Sequence, residues 1–126
     1  MNLIDTSAWI DFFRGNGRLA DSVDDALVTG EATVCGPIVT ELRRGLLASQ
    51  RKQVLHLLSG CSIVDAPAEL WVEAGDLGYR LGRKGVKIKT LDLLIAVHAI
   101  FHDAELLTAD TDFRQISNAG VGLRLA

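Results

Sequence analysis

Long hydrophobic runs, cysteine ligand motifs and an excess of basic charge are all missing from this chain. The longest apolar stretch, Leu93 to Phe101, is interrupted by His98 and is about half of the ~20 residues that a membrane-crossing helix requires. It reads as a core helix, and no segment is expected to cross a bilayer. Only Cys35 and Cys61 are present, with no CxxC or Cys/His ligand spacing, so the expectation is reduced thiols used as small buried apolar groups. The first residues, Met-Asn-Leu-Ile-Asp, form neither a basic n-region nor an apolar h-region; no secretion signal and a cytoplasmic setting are expected. With 13 basic against 16 acidic residues and a net charge of −3, the chain is no protein that holds nucleic acid by bulk electrostatics, and any such contact has to be local and transient. Repeats, linkers and low-complexity tracts are absent too.

What is present fits one compact, soluble domain over residues 1–126. The chain is 48% hydrophobic and 23% charged, ordinary globular usage at a length that buries a real core without disulfides or structural metal. Asn2 to Ile4 reads as a strand, Asp5-Thr6-Ser7 as a cap, and Ala8 to Phe13 as a helix stopped by Gly15-Asn16-Gly17. Arg18 to Thr29 has helical spacing, and Ala32 to Cys35 is a second strand. Gly36-Pro37 opens a helix with Ile38, Leu42, Gly45 and Leu46 on its buried face, and Val54, Leu55, Leu57 and Leu58 belong to a further helix ended by Gly60. Ser62 to Val64 is a third strand. Pro67 to about Lys84 is helical with Leu70, Ala74, Leu77 and Leu81 on one face, and Thr90 caps a helix running through Phe101. Glu105 to Thr108 is a strand, Asp112 to Asn118 a helix, and Val121 to Leu125 a last strand. Short apolar strands alternating with helices imply a mostly parallel sheet with helices on both faces.

In such sheets sites form beyond the carboxyl ends of the strands. That rule selects Asp5 after the first strand, and Asp110 and Asp112 after the strand ending at Thr108. Asp92 in the first turn of its helix and Glu41 one turn into the helix opened by Gly36-Pro37 face the same edge. Each has a structural explanation: a helix cap for Asp5, dipole compensation for Asp92, an i,i+3 pair with Arg44 for Glu41, turn roles for Asp110 and Asp112. Together they are harder to explain that way, since clustered like charges raise one another's pKa and cost stability unless a cation sits among them. Mg²⁺ or Mn²⁺ suits an all-oxygen set and supports phosphodiester hydrolysis by activating water and neutralising charge. His98 and His102, at i,i+4 but with His98 roughly 9 Å down the helix from Asp92, are read as ordinary helix C-terminal histidines, and His56 likewise carries no site.

The segments Leu3-Ile4-Asp5-Thr6-Ser7, Thr40-Glu41-Leu42, Thr90-Leu91-Asp92-Leu93-Leu94-Ile95-Ala96 and Leu107-Thr108-Ala109-Asp110-Thr111-Asp112-Phe113 resemble, in order and spacing, the PIN domain of bacterial VapC toxins. The resemblance implies a five-stranded parallel sheet flanked by helices and a Mg²⁺- or Mn²⁺-dependent endoribonuclease using one or two ions. It implies a toxin that cuts structured RNA, tRNA or rRNA, and inhibits translation until a VapB-type antitoxin neutralises it. A homodimer, and a hetero-oligomer with the antitoxin, are also implied. Carried over by position, the catalytic set is Asp5, Glu41, Asp92 and Asp110, with Asp5, Asp92 and Asp110 on metal and Thr6, Ser7, Thr108 and Asp112 in support. Many relatives have asparagine where Asp110 stands and the acid where Asp112 stands, so the fourth position stays open between the two, with Asp110 preferred.

Leu77 to Leu91 lacks any acid and holds Arg80, Arg83, Lys84, Lys87 and Lys89. Directly ahead of Asp92, this stretch is a candidate guide for RNA phosphates, as are Arg43 and Arg44 beside Glu41; the plainer reading is a solvated helix end. Trp9, Phe12, Phe13, Leu46 and Leu47 are core residues first, with an exposed groove for antitoxin or dimer as the other use. A receiver domain would want an acidic pair after the first strand and a lysine where Asp110 stands, and a haloacid-dehalogenase phosphatase would want an aspartate where Ser7 stands. A catalytically silent PIN-like RNA-binding or protein-interaction module is the remaining alternative, with a broken carboxylate set as its expected mark.

Overall fold

The computed structural model describes residues 1–15, 17–45 and 48–126. Its elements run β1 (Asn2–Ile4), α1 (Thr6–Arg14), α2 (Gly17–Thr29), β2 (Ala32–Val34), α3 (Gly36–Gly45), α4 (Ala48–Ser59), β3 (Ser62–Ile63), α5 (Glu69–Arg83), α6 (Thr90–Phe101), β4 (Glu105–Leu107), α7 (Asp112–Asn118) and β5 (Arg124–Leu125). The five strands form one sheet in the order β3-β2-β1-β4-β5, and every pairing is parallel. The expected sheet is therefore present, and it is parallel throughout.

Strand burial explains why helices lie on both sides. All three residues of β2 are buried, as are Leu3 and Ile4 of β1 and Leu106 and Leu107 of β4. Consecutive buried residues on a strand point to opposite faces, so neither face is left to solvent. Only the edge strand β3 is exposed along its length. In the centre, Ile4 pairs with Leu107 and Leu3 with Thr33, which sets the ends of β1 and β4 side by side. α1 stops where Gly15 takes a left-handed φ of 68° and returns its N–H to the Phe12 carbonyl.

The boundaries differ from the expectation in a few places, each for a local reason. Cys35, Val64 and Thr108 lie just beyond their strands; the Thr108 hydroxyl turns to the Asp5 carboxylate instead. β5 is only Arg124–Leu125, because Gly120 and Gly122, at φ 75° and 92°, bend the chain ahead of it. Thr90 does not cap α6: Lys89 occupies that position in extended conformation without a side-chain bond, and Thr90 is the first helical residue. Ile38 and Leu42 are buried as expected, but Gly45 is exposed. Leu46 lies outside the described residues. Leu70, Ala74, Leu77 and Leu81 all face the core.

α5 and α6 pack closely at Gly78. A Cβ there would lie 2.6 Å from Leu93 Cδ1, and Leu93 is itself buried. Gly78→Ala should gain about 1 kcal/mol of helix propensity and lose about 1–3 kcal/mol to overpacking. A net loss of about 1 kcal/mol is expected, read as a lower urea midpoint at unchanged slope. An equal or higher midpoint would mean that Leu93 swings aside freely.

Candidate active site

The carboxyl edge of the sheet gathers the five acids from four segments. Asp5 follows β1 at the N-cap position of α1, yet its side chain makes no capping bond. Its Oδ2 accepts hydrogen bonds from Ser7 Oγ at 2.8 Å and Thr108 Oγ1 at 2.8 Å. Those hydroxyls accept in turn from the Ala109 N–H at 2.9 Å and the Asp110 N–H at 3.0 Å. A hydroxyl has one proton to give, so the 3.2 Å approach of Ser7 Oγ to Thr108 Oγ1 is a contact between two atoms already committed to Asp5. This clamp fixes a carboxylate that is 4% exposed and ties β1 to the loop after β4.

On that loop Asp110 Oδ1 accepts the Asp112 N–H at 2.9 Å, a turn role that also sets the first residue of α7. Asp92, Asp110 and Asp112 each present an oxygen within 4.8 Å of the other two. Asp5 stands outside this tightest group, and Asp112 stands within it. Both acids of the Asp110/Asp112 alternative are thus at the cluster. Glu41 is held from another side, where its Oε1 accepts from Thr6 Oγ1 at 2.9 Å, and no Glu41–Arg44 ion pair forms among the described residues. Thr6, Glu41, Arg44 and Gly45 line a cleft of about 370 Å³.

Electrostatics registers the convergence. Asp92 is pushed up from 3.8 to about 6, first by burial and then by the charges of Asp110, Asp5, Glu41 and Asp112. All four other acids therefore act on one carboxyl. The Cys35 thiol is raised to about 12, chiefly by burial, with Asp5 and Glu41 adding to it against two backbone hydrogen bonds. It is an unreactive packing group, as expected, while Cys61 is free and half-buried.

The histidines stay out of the site. His98 is a core residue with 0% exposure, a correction to its reading as an ordinary helix-end histidine. Its Nδ1 bonds the Leu94 carbonyl at 2.6 Å, Nε2 lacks a partner among the described residues, and the ring meets Trp71 edge-on at 6.2 Å. His102 Nε2 bonds the Asp65 carbonyl at 2.7 Å. Arg43, Arg44, Arg80, Arg83, Lys84, Lys87 and Lys89 are all exposed. Trp9 is fully buried, stacked on Phe13 at 5.9 Å, and Phe12 and Phe13 pack against the core from partly buried positions. Leu46 and Leu47, the other residues of the expected groove, lie outside the described residues. No helix among the described residues is long and apolar enough to cross a membrane.

Comparison with known proteins agrees with this geometry. The PIN domain profile matches residues 3–119. Over 123 residues the chain is 33% identical to a VapC ribonuclease of Mycobacterium bovis, covering 93% of this chain and 92% of the relative. Ribonuclease VapC11 of Mycobacterium tuberculosis matches with the same identity and coverage. Among solved structures, VapBC2 from Rickettsia felis, bound to a DNA fragment from its promoter, superposes with a TM-score of 0.79 at 24% identity, covering 99% of this chain and 96% of that one. DNA-bound VapBC from Salmonella typhimurium gives 0.77 at 18% identity, with 99% and 96% covered. An acid-lined edge on a five-stranded parallel sheet, a match over nearly the whole chain and relatives at this identity lead to one conclusion: the chain belongs to the PIN-domain family, among the VapC ribonucleases.

Proposed function

We propose that the chain is a metal-dependent endoribonuclease, the toxin of a toxin-antitoxin pair, acting in the cytoplasm as a single domain and neutralised by a VapB-type antitoxin. The observation that carries this reading is the meeting of Asp92, Asp110 and Asp112 oxygens within 4.8 Å. Three unneutralised carboxylates at that spacing cost stability, and a hard divalent cation is what offsets the cost. The donor set is all oxygen, which fits Mg²⁺ or Mn²⁺, one ion or two, and fits no soft metal. When bound, such an ion lowers the pKa of water and offsets charge on a scissile phosphodiester.

The chain's own residues supply the rest. Asp92, Asp110 and Asp112 would hold the ion, and Asp5 completes the negative field from a position fixed by Ser7 and Thr108. Glu41, held by Thr6, faces the cleft beside Arg44. Lys87 and Lys89 precede Asp92 directly, and with Arg80, Arg83, Lys84, Arg43 and Arg44 they offer phosphates of a structured RNA, tRNA or rRNA, a path over an acidic protein. A homodimer, and a hetero-oligomer with the antitoxin, belong to the same reading.

Partner-free protein incubated with structured cellular RNAs in Mg²⁺ or Mn²⁺ should cut at defined sites, and EDTA should abolish the cuts. Intact RNA from a folded, cation-binding protein would instead mark a PIN-like binding module without catalysis.

A further inference from the structure

A second pocket is linked to the carboxylates by two separate chain segments. It has a volume of about 440 Å³ and is lined by Leu81, Lys84, Val86, Gln115, Asn118 and Ala119. One segment is α7, which starts at Asp112 inside the acid cluster and carries Gln115 and Asn118 at successive three-residue steps. Residues three apart on a helix share a face, and each step advances about 4.5 Å. Gln115 thus shares a face with Asp112, and Asn118 with Gln115, a row that winds around α7 from the cluster to the pocket. The other segment is the basic strap, which leaves the pocket at Lys84 and reaches Asp92 through Lys87 and Lys89. Both routes join the same two places.

The lining is suited to one kind of ligand. Gln115 and Asn118 are exposed, and each amide offers both a donor pair and an acceptor, the pattern that reads the edge of a heterocyclic base. Leu81, Val86 and Ala119 are buried or half-buried and give an apolar floor for a ring face, while Lys84 offers an ammonium to a phosphate. We propose that this pocket receives the nucleobase of a nucleotide flanking the scissile phosphate, so that Gln115 and Asn118 set base preference and Lys84 anchors the adjoining phosphate. The proposal rests on the ribonuclease reading, and it assigns the selectivity that the carboxylates themselves do not encode.

Two measurements test it independently. In the first, the protein cuts a hairpin RNA whose loop is randomised, and the cut sites are sequenced for wild type, Gln115→Ala, Asn118→Ala and Lys84→Ala. Wild type should prefer one base at a position beside the cut, and either amide variant should flatten that preference about tenfold, the scale of one lost base contact. Lys84→Ala should weaken cleavage of all sequences about equally. Unchanged preference in both amide variants overturns the proposal. In the second, metal-free protein is titrated with the four 5′-ribonucleoside monophosphates and with inorganic phosphate, following the side-chain amide NMR signals of Gln115 and Asn118. Shifts that differ between bases and are absent with phosphate support the pocket. No shift, or the same shift with phosphate alone, overturns it. If wild type cuts no RNA, the ribonuclease reading fails and the titration still decides whether a base binds here.

Discussion

Asp92→Asn is expected to cost more than about a hundredfold in RNA cleavage while making the metal-free protein more stable. The loss follows from removing one of three converging carboxylates, a ligand in the proposed reading, where even supporting residues of metal sites are worth about 10–100-fold. The gain follows from the same crowding. Burial and four neighbouring acids raise Asp92 to about 6, above the ordinary value of 3.8 that it regains on unfolding. Above pH 6 the folded protein carries this charge at a cost the unfolded chain does not feel. As pH falls through 6 toward 3.8, the folded state takes up its proton first and the cost disappears. Discounted for solvent screening, the stabilisation of Asp92→Asn at pH 8 is about 1 kcal/mol, and it should shrink steadily below pH 6. His98 works in the opposite direction, since burial lowers its pKa and the unfolded chain protonates more readily below about 6.5. That contribution is present in both proteins and cancels in the comparison. Paired urea titrations at pH 8 and pH 5 in EDTA, then with Mn²⁺, would measure it. Mn²⁺ should raise the wild-type midpoint more than that of the variant, and a variant less stable than wild type at pH 8 without metal would contradict the account.

The second large effect is structural in origin and reaches the site. Phe113 has no exposed surface and is among the largest fully buried side chains, and its neighbour Asp112 belongs to the acid cluster. Truncation to alanine should cost about 3–5 kcal/mol, a large share of the ~5–15 kcal/mol available to a domain. The ring anchors α7 to the core, so Mn²⁺ affinity should fall along with the denaturation midpoint. Phe113→Leu keeps most of the volume and should restore most of both. A loss under about 1 kcal/mol for Phe113→Ala would place the anchor of α7 elsewhere.

Much of this architecture is legible in the sequence because periodicity carries it. The stripe Leu70, Ala74, Leu77 and Leu81 has one explanation as a helix face, and the run around Leu93 to Ala99 another as a core helix. The edge that holds the site also follows from the strand-end rule alone. Lateral distances along that edge do not. Position after a strand places Asp5 and Asp112 equally well, and only the Ser7–Thr108 clamp, spanning residues far apart in the chain, draws Asp5 into its own network while the Asp110 turn brings Asp112 forward. The cap expected at Thr90 fails because cap preference is a matter of about 1 kcal/mol, and Lys89 occupies that position without it. His98 reads as a helix-end residue from its spacing because nothing in the sequence reveals that Trp71 packs over it. Gln115 and Asn118 carry no motif and become visible only once Lys84 is seen across the pocket from them.

The order in which the strands pair sets when during synthesis the site can exist. β1 lies between β2 and β4, and the Asp5 clamp needs Thr108, 103 residues further on. No shorter nascent chain contains both halves. Because contacts this distant in sequence close only after the intervening chain is available, a nascent chain that has not reached Thr108 has the first aspartate but neither its completed clamp nor Asp110 and Asp112. Every growing chain that stops short of Asp112 therefore lacks the acid cluster, so the first motif of the site is made long before the site itself can form.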